Sequence, residues 1–167
     1  VGTPDPNSSW LSDADLADVR RRIPILYVEA VPVRVDGMGV VTSVGGLLRA
    51  NAQGGITRTL VSGRGMFGET LRDALFRHLE KDLGALAFPQ LPPSPVPFSV
   101  AEYFPIPGLI AYLDERQHAV SLAYVVPVTG TLEPRQDALE LTWMTPAEAS
   151  SPSIHAEMEG GRGTLLR

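Results

Sequence analysis

The stretch GRGMFGETLRDALFRHLEKDLGA, residues 63–85, decides how this chain is read. Its first part carries Gly63, Gly65 and Gly68, which give the backbone unusual freedom. Its second part has the period of a helix. Leu71, Leu75 and Leu79 recur at four-residue spacing and should face a core. Glu69 or Thr70 opens that helix, and Gly84 ends it. The unit is therefore a glycine-rich loop, a helix and a second loop.

Working outward, residues 56–61 read as a strand entering the loop, and residues 40–49 and Ile25–Val35 as two strands before it. Pro32 suggests an edge or a bulge in the first of these. Gly45 and Gly46 suggest a bulge or a close backbone approach in the second. Residues 1–24 form a loose arm and a short helix over Asp13–Arg22, with Ser12 and Asp15 as its capping signal. Beyond the helix, residues 88–108 hold seven prolines and read as a long irregular insertion. Strands follow at 109–113, 119–128 and 139–143, then a helical start at Pro146–Ala149. The tail GGRGTLLR reads as the site of a terminal helix that is cut off or disordered. Residues 25–167 make one domain of the α/β class, a mixed β-sheet with helices packed on it.

Gly63, Gly65 and Gly68 match G-x-G-x-x-G, a dinucleotide-binding pattern. That pattern needs a second parallel strand soon after the helix, and a proline-rich stretch stands there instead. A second pattern fits more residues. Gly63, Glu69, Arg77, Leu79, Gly84 and the small apolar Ala85 fall on the spacing G-x5-E-x7-R-E-U-x-E-E-x-G-U, where U is aliphatic. On these residues the chain resembles the Nudix hydrolase superfamily. The order of elements over 25–149, with a late tryptophan segment around Trp143, resembles it too.

The resemblance implies a Nudix-like α/β/α sandwich with a mixed β-sheet. It implies a ligand that is a nucleoside diphosphate linked to another group. It also implies Mg²⁺ or Mn²⁺, held against the diphosphate by acids of the box helix. Gly63, Glu69 and Asp82 are the metal-site positions. Glu69, Arg77, His78 and Lys81 are the catalytic positions, with Arg77 orienting the acids. Arg64, Tyr103, Phe104, Asp137 and Glu140 are the substrate-side candidates, the two aromatics by stacking on a flat group. A homodimer is expected by analogy with the family.

The box is degenerate. Family members carry acids where this chain has His78, Lys81 and Asp82, positions that share one helical face. Asp82 keeps a carboxylate. His78 offers nitrogen, which suits softer metals than Mg²⁺. An ammonium cannot ligate a cation, so Lys81 would meet phosphate directly. Glu80 lies one place out of register, turned about 100° around the helix, and does not replace the lost acids. The alternative reading is a catalytically inactive Nudix-like module that binds a ligand or a protein.

Composition narrows the field. The net charge of −5 argues against nucleic acid as a partner. There are no cysteines, so thiolate metal sites and cysteine nucleophiles are excluded. No apolar run approaches the ~20 residues of a membrane span. A cytoplasmic protein is the expectation. No serine, histidine and aspartate stand out as a hydrolase triad.

Overall fold

The computed structural model describes residues 11–50, 53–133 and 138–167. An eight-stranded mixed sheet carries helices on both faces, the α/β/α sandwich expected. Strands β1 (Ile25–Val35), β2 (Val41–Ala50), β3 (Ile56–Thr59) and β4 (Val61–Arg64) precede helix α2 (Leu71–Leu83). Strands β5 (Ser99–Phe104), β6 (Tyr112–Leu113), β7 (Ala119–Pro127) and β8 (Ala138–Met144) follow it. Helix α1 (Asp13–Arg22) leads the chain, and α3 (Pro146–Ala149) and α4 (Pro152–Glu157) close it. The sheet order is β3-β2-β1-β7-β5-β6, with β4 also paired to β1 and β8 to β2.

Each face of the sheet buries its own cluster. Under α2 lie Val28, Ala30, Leu47, Val61, Tyr124 and Val126, packed with Leu75, Leu79 and Leu83 of the helix. On the other face Val31, Val33, Leu60, Ala101 and Tyr103 pack with Ala149, Met158 and Leu165. The predicted leucine stripe of α2 is thus its buried side, with Leu71 at the margin. Thr70 caps the helix by accepting from the Asp73 amide at 3.1 Å. Gly84 ends it at φ 92°, a conformation that favours glycine.

Five expectations change. Pro32 lies neither at an edge nor at a bulge, for β1 is central. Along β1 the even positions face β4 and β2, as the Gly65 amide bond to the Leu26 carbonyl shows. β4 pairs with residues 27–30 and β2 with 33–35, so Pro32 falls at the handover. No ladder donor is needed there, and its missing N–H costs nothing. Residues 56–61 are not one strand. The chain breaks at Leu60 and passes from β2 to β1, becoming β3 and then β4.

The insertion at 88–108 is not wholly irregular, because residues 99–104 form strand β5, whose residues 99–103 pair with β7. Of 109–113, only Tyr112–Leu113 is strand. The tail forms 3-10 turns over Glu159–Leu166, with Gly160 and Gly161 at positive φ and Leu165 buried. Gly45 and Gly46 serve close approach. A Cβ at Gly45 would meet Pro32 Cγ at 3.0 Å and the Trp143 ring at 3.3 Å. No helix among the described residues is long and apolar enough to cross a membrane.

Candidate functional site

The loop from β4 into α2 is held by one ion pair. Arg77 Nε donates to Glu69 Oε2 at 2.8 Å, and Arg77 Nη2 to Oε1 at 3.0 Å. Arg77 Nη2 also donates to the Arg64 carbonyl at 2.8 Å. The Met66 amide donates to Glu69 Oε1 at 3.1 Å. One guanidinium thus ties the end of β4, the loop and the helix together. It also holds the Glu69 carboxyl below its usual range, against the opposing effect of burial. Arg77 thus positions the Glu69 carboxylate against the end of β4.

His78 turns inward, not towards solvent. It is 5% exposed, and its Nε2 lies 2.9 Å from the Arg64 carbonyl. A carbonyl only accepts, so Nε2 carries the proton and Nδ1 bears the lone pair. Nδ1 is buried without a hydrogen-bond partner. A Cβ at Gly63 would overlap the imidazole ring, so the first glycine of the box gives that ring its space. Burial pushes the His78 pKa down to about 4, with Lys81 and Arg77 adding to the effect, so the ring is neutral at pH 7.

Asp82 is 4% exposed. Its Oδ1 faces Lys81 Nζ at 3.7 Å, and its Oδ2 is buried without a hydrogen-bond partner. Burial raises its carboxyl above the usual aspartate range, while the charges of Lys81 and Arg49 pull the other way. Lys81 Nζ also approaches the Ser62 carbonyl at 3.4 Å. The three altered box positions therefore divide. His78 and Asp82 belong to the interior, and only Lys81 reaches the surface.

A hard divalent cation needs several open oxygen donors. Both Glu69 oxygens are taken by Arg77 and Met66. Asp82 is countered by an ammonium, and the His78 Nε2 is a donor. Among the described residues, no group of three or more histidine, aspartate and glutamate side chains is placed to hold a metal. These residues do not fit Mg²⁺ or Mn²⁺ as they stand.

The substrate-side candidates scatter. Tyr103 is 2% exposed and its hydroxyl donates to Glu29, on the sheet face opposite α2. A buried ring cannot stack on a ligand, so Tyr103 is a core residue. Phe104 stacks on His118 with ring centroids 4.2 Å apart. Arg64 contributes its carbonyl, which both Arg77 and His78 bond. Asp137 lies outside the described residues. Glu140 is exposed on β8 and lines a cleft of about 460 Å³ with Arg34, Gly130, Leu132, Leu141 and Trp143.

This cleft lies beside the box helix. Leu132, Leu141 and Trp143 pack on the same cluster as Leu79 and Leu83, and the Glu133 amide donates to the Leu83 carbonyl at 2.7 Å. The Arg34 guanidinium lies 5.1 Å over the Trp143 ring and donates to the Val128 and Gly130 carbonyls. Arg34, Arg49 and the Ser62 carbonyl were not singled out from the sequence. Each depends on a pairing across the sheet that no local motif carries.

A family model described as a domain of unknown function (DUF4916) matches residues 6–167. No curated protein matches the chain. Among solved structures, a possible asymmetric diadenosine tetraphosphate hydrolase from Jonesia denitrificans is 59% identical. It superposes with a TM-score of 0.83 over 87% of this chain and 91% of its own. A Nudix hydrolase from Nitrosomonas europaea, at 14% identity, gives 0.63 over 86% of each chain. A C. elegans diadenosine tetraphosphate hydrolase, at 13%, gives 0.60 over 86% of this chain and 93% of its own. The last two show likeness of fold alone.

Proposed function

This chain belongs to the family described as a domain of unknown function (DUF4916) and has the Nudix fold, and from that premise we propose that it binds a nucleoside diphosphate linked to another group. The phosphates would lie along the exposed side of the 63–85 unit, and the base or second group in the cleft of Arg34 and Trp143. The observation that carries this reading is the cleft itself. A flat ring and a guanidinium line it, next to the helix end that bears Lys81. Such a slot suits an aromatic base, and the ammonium suits a phosphate. The similar structure from Jonesia denitrificans is named for a dinucleoside polyphosphate, a ligand of this class.

Nudix hydrolases generally use divalent metal ions. The donor set here favours the inactive, ligand-binding alternative, because Glu69 is paired with Arg77 and Asp82 is buried beside Lys81. Calorimetric titration with ADP-ribose and with diadenosine tetraphosphate tests the reading, with inorganic phosphate as a control. Saturable binding of either nucleotide, well above that of phosphate, is expected. Binding of neither would sink the proposal. Chromatography of the same samples with Mg²⁺ or Mn²⁺ separates the alternatives, since a cleaved diphosphate would restore the hydrolase reading.

A further inference from the structure

Lys81 departs most from the box it sits in. Its ammonium lies 3.4 Å from the Ser62 carbonyl oxygen and 3.7 Å from Asp82 Oδ1. A carbonyl and a carboxylate converging from a strand end and a helix are the hard oxygen donors that a divalent cation takes. Here a covalently attached cation has them.

We propose that Lys81 is the resident cation of this site, so that the site excludes divalent metal and binds phosphate oxygens through the ammonium itself. The proposal deepens the nucleotide-binding reading and rests on it for the identity of the ligand. Three observations carry it. The Lys81 side chain is 30% exposed, so the ammonium has an open side. An ammonium has three N–H donors; the Ser62 carbonyl accepts from one at 3.4 Å, and Asp82 stands off at 3.7 Å as an ion-pair partner. Donors remain for an anion.

The local charge balance is the second observation. Asp82 sits near two cations, Lys81 and Arg49, both close enough to act on its charge. Glu69 is neutralised by Arg77. A divalent ion would enter a corner that is already net positive, where repulsion opposes it. The third observation is the direction of Asp82. Its free oxygen, Oδ2, is buried, so it does not face an incoming ion.

Two titrations test this. Mn²⁺ binding, read by water proton relaxation, compares the wild type with Lys81→Glu. Charge reversal should create metal affinity and tighten Mn²⁺ binding by roughly ten-fold or more. Inorganic pyrophosphate in EDTA, read by calorimetry, compares the wild type with Lys81→Met. Loss of the ammonium should weaken binding by roughly ten-fold. ADP-ribose should bind the wild type equally in EDTA and in Mg²⁺. Thermal melts confirm that each variant folds, and the wild-type Mn²⁺ titration needs no variant.

Wild-type Mn²⁺ binding as tight as that of Lys81→Glu would overturn the proposal. So would pyrophosphate binding unchanged in Lys81→Met. Pyrophosphate binding without any ADP-ribose binding would overturn the nucleotide reading while supporting the resident cation.

Discussion

Gly63 and His78 specify each other: the imidazole fills the space that any Cβ at residue 63 would need. The ring is fixed there by its bond to the Arg64 carbonyl, and Gly63 itself is held in the β4–β1 ladder opposite Val28. Neither partner can yield cheaply. Gly63→Ala should therefore cost about 1–3 kcal/mol through overpacking. In the Gly63→Ala/His78→Ala double variant the added methyl meets no ring, so the costs should fall short of their sum by about 1 kcal/mol or more. Urea denaturation of the four proteins measures this, and strict additivity would show that the ring is free to move.

The same ring makes stability depend on pH. Folding depresses the His78 pKa from 6.5 to about 4. Between those values the unfolded chain takes up a proton that the folded chain refuses, so stability falls as pH drops through that window. The loss is on the order of 3 kcal/mol at most. Glu69, depressed by Arg77, adds loss below its ordinary value of 4.5. Asp82, raised by burial, opposes it, because the folded chain gains a proton there first. His78→Gln retains an N–H donor and cannot titrate. The difference in unfolding free energy between wild type and His78→Gln should change between pH 6.5 and 4 and be flat above 7. A flat difference throughout would show that His78 titrates normally.

How far the sequence speaks follows the range over which each feature is encoded. The stripe of Leu71, Leu75 and Leu79, the Thr70 cap and the Gly84 stop are local, and each holds. The spacing of Glu69 and Arg77 also survives as contact, because eight positions across a capped helix start bring the two side chains together. Strand β5 was hidden. Ala101 and Tyr103 point inward and Val100 and Glu102 outward, the period of two that marks a strand, but prolines on both sides mask it. Pro32 misled for a related reason. Proline signals a missing donor, and only the topology reveals that β1 changes partners at that point.

Positions 78, 81 and 82 lie together on a helical wheel, which suggests one ligand face. Spacing cannot say which side of such a face meets the sheet. The buried arc of α2 runs through Ala74, Leu75, His78, Leu79, Asp82 and Leu83, so two of the three belong to it. Lys81 stays outside that arc. A lysine stem can reach past its neighbours and hold its charge at the surface, which an aspartate at the same height cannot.

The cleft beside α2 gives a prediction for binding. Trp143 lies beneath the Arg34 guanidinium, and Arg34 is anchored by the Val128 and Gly130 carbonyls at 2.7 and 2.8 Å. Trp143→Ala removes the flat wall and should weaken ADP-ribose binding by roughly ten-fold, the worth of one stacked base. Inorganic pyrophosphate, which has no base, should bind Trp143→Ala as it binds wild type. Calorimetry on both ligands checks the split. Equal loss for both would place the base elsewhere and leave Trp143 a support for the sheet. Glu140→Gln, on the exposed rim, should alter ADP-ribose affinity by no more than roughly two-fold.

On the opposite face, the closing turns depend on one buried ion pair. Arg162 Nε lies 2.5 Å from Glu29 Oε1, with side chains 12% and 1% exposed. The Tyr103 hydroxyl donates to the same carboxylate, and the Arg162 guanidinium lies 4.8 Å over the Tyr103 ring. Glu29 is on the central strand, so the pair anchors residues 159–166 to the middle of the sheet. Arg162→Met would leave a carboxylate buried and uncompensated, at a cost of about 3–5 kcal/mol. Glu29→Gln/Arg162→Met removes both charges and should recover a large part of that loss. Chemical denaturation gives the energies, and limited proteolysis shows whether the 159–166 segment is released first. An Arg162→Met protein as stable as wild type would mean that water reaches Glu29, and that the apolar contact of Leu165 alone holds the segment.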